Sequence, residues 1–586
     1  MKSNMAVYLA LAFVFFSCQS PAPAAKDSAD TAFAGFETRF LDSYWKEYPS
    51  NAIFIGYGKY YEDLVIPDSS AFARHVAYSK QWIDSLQALN YDALSDNNKI
   101  SFRIIRNQLE SDIWYTTIFR NQEWEPASYN LSGESYYLIH QPFAPLEERL
   151  RLLSKHLRTA GAYYEAAWKT LKNPTKESAG LAVMQNKAGL DVFGKDLTDS
   201  IHASRLSAAE TDTLNRNIAG CVAAMKKYAD SLQSILNKPD YPFRKYSIGR
   251  DLFTEKFKFD LATDLSPEEV YNKALSDQQI ITTEMFSLAD GLWKKYLNSK
   301  PKPADSLEMI RAVIDAVSLQ HAKAGDFFDS LKNQVYGLKK FILEKNLFDF
   351  DSSYPIIVRL MPEYARGVAI ATAEFTPPYQ KQGDTYYNID DLTRYPKDKQ
   401  ESTLREMNNY TSQLISIHEA IPGHCLQGIY NNKKSPDVLR SVFQNGAMVE
   451  GWAVYSERMM LENGYGNNEP EMWLMYYKWH LRSVCNTILD YSVHTQNMSE
   501  EAAIQLLTKE AFQQEAEAKN KWRRVSLSQV QLCSYFTGFS EIYDLREELK
   551  KKEGDKFDLK KFHEKFLSYG SAPVKYIRQL MLADEK

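Results

Sequence analysis

Cysteine is scarce, with five in 586 residues, too few and too scattered for a disulfide framework. Glycine (24) and proline (22) are also low, which excludes collagen-like, linker-dominated and mostly disordered chains. Neither sign of charge prevails: 70 Lys and Arg stand against 75 Asp and Glu, a formal −5. With no basic excess and no local basic patch to neutralise phosphates, no nucleic-acid partner is expected. Apolar runs are short: the one near the start, Ala6 to Phe16, is too brief to span a bilayer as a mature helix. What remains is an ordinary globular composition, 44% hydrophobic and 25% charged, on a chain long enough to bury a sizeable core. Aromatics reach 13%, with 37 Tyr, which suits a large core or a groove for extended ligands.

The apolar run fits the core of a secretory signal. It ends in Phe16-Ser17-Cys18-Gln19-Ser20, and a Cys directly after a small residue at that place resembles a bacterial lipobox. The resemblance implies cleavage before Cys18 and lipidation of its thiol, making residues 1–17 a signal and 18–32 a lipidated cysteine with a flexible tether. The alternative is an ordinary signal peptide cleaved after Ala24 or Ala25, where Pro21 and Pro23 fit poorly. Cys221, Cys425, Cys485 and Cys533 are far apart without a CxxC pair, and read as buried thiols.

From 33 to 583 the chain reads as one large helical unit, with an N-terminal part to about 240 and a further part from about 350. Leu146 to Leu157 and Tyr163 to Leu171 carry apolar residues at three- and four-residue spacing. Ser266-Pro267 opens a helix through roughly Ala289, and another amphipathic segment runs from about Ala304 to Asn346. The period changes at Tyr354. Pro355 to Pro362 and Thr385 to Ile389 are short β-prone runs between Pro and Gly breaks. Helical patterning resumes near Lys399. The fold class is therefore mostly α, with one small β-sheet just before the most unusual sequence.

That sequence is Ser416-Ile-His418-Glu419-Ala-Ile-Pro422-Gly423-His424. Zinc hydrolases with an H-E-x-x-H helix place two His at i and i+4 on one face, with the Glu poised over water. Here the spacing is i and i+6, which on an ideal helix leaves the two some 120° apart. Pro422-Gly423 lets the helix bulge or break, and two absorbed residues return His424 to the i+4 place. The bland alternative is capping or packing at a helix end. A third ligand is then required. Glu450 and Glu457 lie seven apart on an otherwise apolar helical face. Glu450, 26 residues beyond His424, is the expected ligand, with Glu457 orienting a ligand His from behind. Glu457 could instead pair with Arg458 or Arg482 on the surface.

His-Glu-Ala-Ile-Pro-Gly-His followed by Glu450-Gly-Trp-Ala-Val-Tyr-Ser-Glu457 resembles the bacterial family numbered 885 among domains of unknown function, many of whose members are exported lipoproteins. The likeness extends to blocks at Ile248–Phe253, Met361–Tyr364, Leu489–His494 and Leu532–Gly538, hence to nearly the whole mature chain. The family looks like a remote relative of gluzincin metallopeptidases such as thimet oligopeptidase and the Taq-type carboxypeptidases. Dipeptidyl peptidase III is similar in its expanded His spacing. Two departures stand out: Leu527-Ser528-Gln529-Val530-Gln531 stands where the family usually reads Pro-Gly-Gln before the Ser-Tyr block, and Ser492 stands where Gly is common.

By that resemblance His418, His424 and Glu450 hold one Zn²⁺ per chain, and Glu419 is the general base. Tyr535 or His494 would donate to the oxyanion, with Asp490 as a supporting carboxylate. Tyr535 could equally be a core residue, and His494 could be paired with Asp490. The strand Thr385–Ile389 could offer an edge to an extended peptide, with Tyr379, Tyr386 and Tyr387 lining the groove. The implied function is an exported zinc peptidase tethered to a membrane through Cys18, acting on peptides or peptide-like amides. Nothing calls for a protein partner. A second reading is a catalytically inactive lipoprotein that binds peptides or glycans in the same groove. A third makes the His cluster a purely structural metal site with four protein ligands.

Overall fold

A computed structural model of the chain describes residues 23–350, 355–362, 366, 369–380 and 383–583. Cys18, Glu363 and Tyr364 lie outside the described residues. The chain is mostly helical with one small sheet. Among the described residues no helix is long and apolar enough to cross a membrane.

Local chemistry explains where the long helices start. In the helix Pro267–Leu297, Ser266 Oγ accepts the Glu269 N–H at 3.2 Å, and the Glu269 carboxylate accepts the Ser266 N–H at 2.7 Å. Two orphan amides are thereby satisfied, and Pro267 sits at the first position, where no N–H is needed. Val270, Ala274, Ile281, Met285 and Ala289 recur at three- and four-residue steps along its buried face. The expected 304–346 segment divides into Ser306–Val317 and Phe327–Glu344.

The core differs from the expected partition at residue 240. Phe33, Phe40, Trp45, Ile105 and Trp114 join one large core with residues from Ile248 to Met581. A second core is built mainly by Leu131 to Ile235. The N-terminal helices thus belong with the half of the chain that carries the HEAIPGH motif. The expected tether also ends early, because a helix runs over Pro23–Glu47. In it Asp30 Oδ1 accepts from Ser95 N at 2.9 Å and Asn98 Nδ2 at 2.7 Å.

The sheet has three strands, β1 (Ile356–Leu360), β2 (Ala371–Glu374) and β3 (Thr385–Ile389), in the order β1-β3-β2. β3 pairs parallel with β1 and antiparallel with β2. Both its edges are therefore occupied, which removes the expected strand addition at Thr385–Ile389. β2 was not anticipated, since Ala-Thr-Ala-Glu has little β-branched or aromatic content.

Six helices of the C-terminal half build the site and its surroundings: α1 (Thr411–Glu419), α2 (His424–Lys434), α3 (Gly446–Glu462), α4 (Pro470–Thr495), α5 (Glu515–Leu527) and α6 (Ser534–Glu553). α3 and α6 cross at backbone contact. A Cβ added to Gly538 would lie 1.7 Å from the Ala447 carbonyl oxygen, and one added to Gly451 would lie 2.3 Å from the Gly538 carbonyl carbon. Only glycine permits this approach. Cys221, Cys425, Cys485 and Cys533 are all free and buried.

Replacing Gly538 by Ala is expected to lower stability by about 3 kcal/mol, the upper end of overpacking effects. In contrast, Gly220→Ala, in an exposed helical position with open space around it, should raise stability by up to about 1 kcal/mol. Denaturant unfolding of the two variants checks the pair; equal effects would show that the crossing is not tight.

Candidate metal centre

The HEAIPGH segment breaks its helix in two. α1 ends at Glu419, α2 begins at His424, and the Ile421–Pro422 bond between them is cis. Gly423 N–H reaches the Ile417 carbonyl at 3.0 Å and Leu426 N–H the Ala420 carbonyl at 3.3 Å, bonds six residues apart in place of the usual four. A Cβ on Gly423 would fall 1.9 Å from the His418 carbonyl oxygen, so the turn requires glycine. The two extra residues are absorbed there, and the imidazoles of His418 and His424 meet edge to face, centroids 4.8 Å apart.

Glu450 of α3 completes the cluster. Its Oε2 lies 3.7 Å from His418 Nε2 and 3.6 Å from His424 Nε2. Donor atoms around a tetrahedral zinc stand about 3.3–3.5 Å apart, given ligand distances near 2.0–2.1 Å. The residues present thus fit a small divalent cation. One ligand atom each of His418, Glu419 and His424 also lies within 4.8 Å of the others.

Both imidazoles are held from behind. His418 Nδ1 is 2.7 Å from Glu457 Oε1, which also accepts Trp479 Nε1 at 3.0 Å. A proton on Nδ1 leaves the Nε2 lone pair facing the cluster. Glu457 is 1% exposed and does not pair with Arg458 or Arg482. Arg482 is instead bound by Glu406 at 3.0 Å and Glu517 at 2.6 Å. His424 Nδ1 faces Gln427 Oε1 at 3.4 Å, and Gln427 donates to Met448 Sδ at 3.1 Å.

Imidazoles and carboxylates shift one another's protonation across the cluster. Burial would lower the His418 pKa, but hydrogen bonds to Glu450 and Glu457 and the Glu419 charge lift it well above 6.5. Burial would raise Glu450, yet its contacts with His418 and His424 hold its carboxyl well below the usual range.

Glu419 stands against the sheet. Its Oε2 accepts Ala373 N–H of β2 at 3.1 Å. Asp390 N–H bonds the Ile370 carbonyl, so by antiparallel alternation Thr372 and Glu374 face β3, while Ala371 and Ala373 turn their backbone groups outward. β2 is thus an edge strand whose outer side meets the Glu of the motif.

Tyr535 lies on α6, three residues before Gly538, and Glu450 immediately precedes Gly451 on α3, so the close crossing brings the two together. Burial and the neighbouring Glu450 charge raise the Tyr535 phenol above 10, keeping it a donor. Arg524 Nη2 donates to its hydroxyl at 3.1 Å.

Five expected residues lie elsewhere. Tyr387 is fully buried beneath α1, its hydroxyl 3.2 Å from Ser416 Oγ. Tyr386 points to the opposite sheet face, under the Arg359 guanidinium at 3.6 Å. Neither lines the cluster, because β3 is the central strand. His494 is fully buried, with Nε2 on the Val525 and Ser528 carbonyls at 2.9 and 3.1 Å, so it has no hydrogen to offer an oxyanion. Asp490 supports no metal ligand; it accepts Val530 N–H at 3.1 Å and Leu532 N–H at 3.0 Å. His494 and Asp490 together pin the segment that leads from α5 into Tyr535. Tyr379 packs on the N-terminal helices, accepting Trp45 Nε1 at 3.1 Å.

A family model described as bacterial protein of unknown function (DUF885) matches residues 49–581. The chain belongs to this family. A solved structure of a candidate lipoprotein of unknown function from Shewanella oneidensis is 44% identical, with a TM-score of 0.86, covering 94% of this chain and 99% of that one. Another candidate lipoprotein, from Colwellia psychrerythraea, shares 17% identity at a TM-score of 0.77, covering 95% of this chain and 100% of that one. It shows the same fold. No curated protein matches the sequence.

Val530 has a φ of 71°, strained for a β-branched residue and natural for glycine. Val530→Gly should therefore change stability by less than about 1 kcal/mol, relief of strain offsetting the lost burial. At Val493, buried in α4, the same change should cost about 3 kcal/mol or more. Comparable losses in urea unfolding would contradict the strain.

Burial raises Asp490 to about 7, against the lowering effect of the two N–H bonds it accepts. The folded state therefore holds a proton that the unfolded chain releases near pH 4. Between pH 4 and 7 stability falls as pH rises. Asp490→Asn should remove roughly 3 kcal/mol of the stability difference between pH 5 and pH 8, at 1.36 per unit over the two units up to pH 7, which paired unfolding curves at those two pH values would measure.

Proposed function

We propose that this protein is an exported, membrane-tethered zinc peptidase acting on peptides or peptide-like amides. The observation that carries the reading is the convergence of His418 Nε2, His424 Nε2 and Glu450 Oε2, at 3.7 and 3.6 Å across the carboxylate, with Glu419 beside them. Such a set resembles the metal centres of gluzincin peptidases in donor type, though not in His spacing. The signal-like start, Cys18 and the lipoprotein descriptions of the two similar structures support export and a lipid anchor at Cys18.

His418, His424 and Glu450 would hold the ion. Zinc there would supply a Lewis acid for the scissile carbonyl and acidify the attacking water. Glu419 takes the proton of that water and passes it to the leaving amine, breaking the C–N bond. Ala373 N–H, bonded to Glu419 Oε2, fixes the carboxylate for this exchange. Tyr535 donates its phenolic hydrogen to the developing oxyanion. An extended substrate would lie along the outer edge of β2, where the backbone groups of Ala371 and Ala373 are turned outward.

Elemental analysis should find about one zinc per chain in the wild type and in Glu419→Gln. Peptide hydrolysis in that variant should fall by about 10²–10⁴-fold, the usual contribution of a general base. His424→Ala should lose the metal. Undiminished turnover in Glu419→Gln would overturn the catalytic assignment, and four protein donors around the bound ion would favour a structural metal instead.

A further inference from the structure

Three arginines of this region carry guanidinium groups that a peptide carboxylate could use, and their surroundings separate them. Arg482 is bound by Glu406 and Glu517. Arg523, one residue from Arg524 on α5, turns to Met184 Sδ at 3.6 Å on the helix Lys176–Ala188. Arg524 is exposed and bonds two neutral groups, Gln531 Oε1 at 2.7 Å and the Tyr535 hydroxyl at 3.1 Å. Among the described residues no carboxylate pairs with it. A guanidinium has five donors in a planar fork, and two neutral acceptors on one nitrogen leave most of that fork unused.

Its position relates it to the cluster. Tyr535 is one helical turn, about 4.5 Å along the axis, from the point where α6 touches α3, and Glu450 adjoins that point on α3. The Arg524 guanidinium carbon lies 5.8 Å from the centre of the Tyr535 ring, and the Glu450 charge bears on the same phenol. The Tyr535 phenol is thus a neighbour both of Glu450 and of the Arg524 guanidinium. Gln531 is held by the segment that Asp490 and His494 pin, so the fork is positioned from two elements.

We infer that Arg524 receives the free C-terminal carboxylate of the substrate, making the protein a carboxypeptidase-type exopeptidase. The inference rests on the peptidase reading and names the substrate class of the same site. A carboxylate matches the guanidinium fork in a bidentate, charge-assisted pair, while an internal peptide bond offers it no negative charge. Removal of residues from the C-terminus follows, because the bound carboxylate fixes how far the scissile bond lies from the chain end.

The test uses N-blocked peptides of two to five residues, each as the free acid and as the C-terminal amide, with the zinc-loaded mature protein. Wild type should favour the acid on the order of 10- to 100-fold in kcat/KM. Arg524→Gln should bring the acid-to-amide ratio to about one, Arg524→Lys should retain part of it, and Arg523→Gln should leave it as in wild type. Equal rates for acid and amide in wild type would overturn the inference. So would a fall of both substrates by the same factor in Arg524→Gln, since that is the mark of a residue that only positions Tyr535. Should the wild type cleave neither peptide, the peptidase reading fails, and titration of acid and amide into zinc-loaded Glu419→Gln and Glu419→Gln/Arg524→Gln decides the subsite separately. An acid preference abolished by the second substitution supports it; equal binding of acid and amide overturns it.

Discussion

Everything at the two-histidine cluster depends on the 3.0 Å bond from Gly423 N–H to the Ile417 carbonyl. A continuous helix would place His418 and His424 about 120° apart. The bond closes the chain across six residues and directs His424 back towards His418. It forms only because position 423 has no Cβ, which would otherwise sit 1.9 Å from the His418 carbonyl oxygen. Glycine at this place is thus a steric requirement of the two-histidine cluster, and the sheet and α3 are assembled around the result.

A second absence of side chain does similar work between helices. Gly451 and Gly538 let α3 and α6 touch along their backbones, so Glu450 and Tyr535, 85 positions apart in the sequence, come to one place. The segment before α6 is set by two buried polar groups of α4. His494 fastens it at Val525 and Ser528 and Asp490 at Val530 and Leu532. The Leu489–His494 segment therefore acts as a backbone clamp. The Ile248–Phe253 block docks on the same helix end, where Gly249 N–H bonds the His494 carbonyl at 2.9 Å and Phe253 stacks on its ring.

What was legible in the sequence was local. A His-Glu-x₄-His string interrupted by Pro-Gly conflicts with a regular helix and so announces a break, and two Glu seven apart on an apolar face announce a buried partner. Strands β1 and β3, the Ser266 cap and the mostly α class follow from short-range pattern in the same way. Strand order did not follow. Tyr386 and Tyr387 sit in a β-prone run, but whether that run is central or at an edge is decided by β2, whose four residues carry almost no strand signal. His494 misled for a related reason: a histidine near a motif block is equally compatible with chemistry and with a buried backbone contact, and only the carbonyls of Val525 and Ser528, more than thirty residues on, choose between them. Arg482, Arg523 and Arg524 carry the same side chain, and only their partners in the fold tell them apart.

The division of labour between Glu450 and Glu457 follows from the shape of an imidazole. The two carboxylates are two helical turns apart on α3, and the His418 ring reaches both, Nε2 towards Glu450 at 3.7 Å and Nδ1 to Glu457 at 2.7 Å. One side chain thereby fixes the register of α1 on α3. With Glu419, three carboxylates surround two imidazoles in a largely buried space, and neutral imidazoles would leave that charge uncompensated. Without an ion the cluster must balance itself with a proton, which is the sense of the raised His418 pKa. A divalent cation at the Nε2 atoms would take the place of that proton, and the same concentration of carboxylate charge would favour it. The same balance explains why Glu457 is sealed behind His418. Shielded from water and tied to Trp479, it keeps the Nδ1 proton in place and the Nε2 lone pair free, whatever occupies the front of the site.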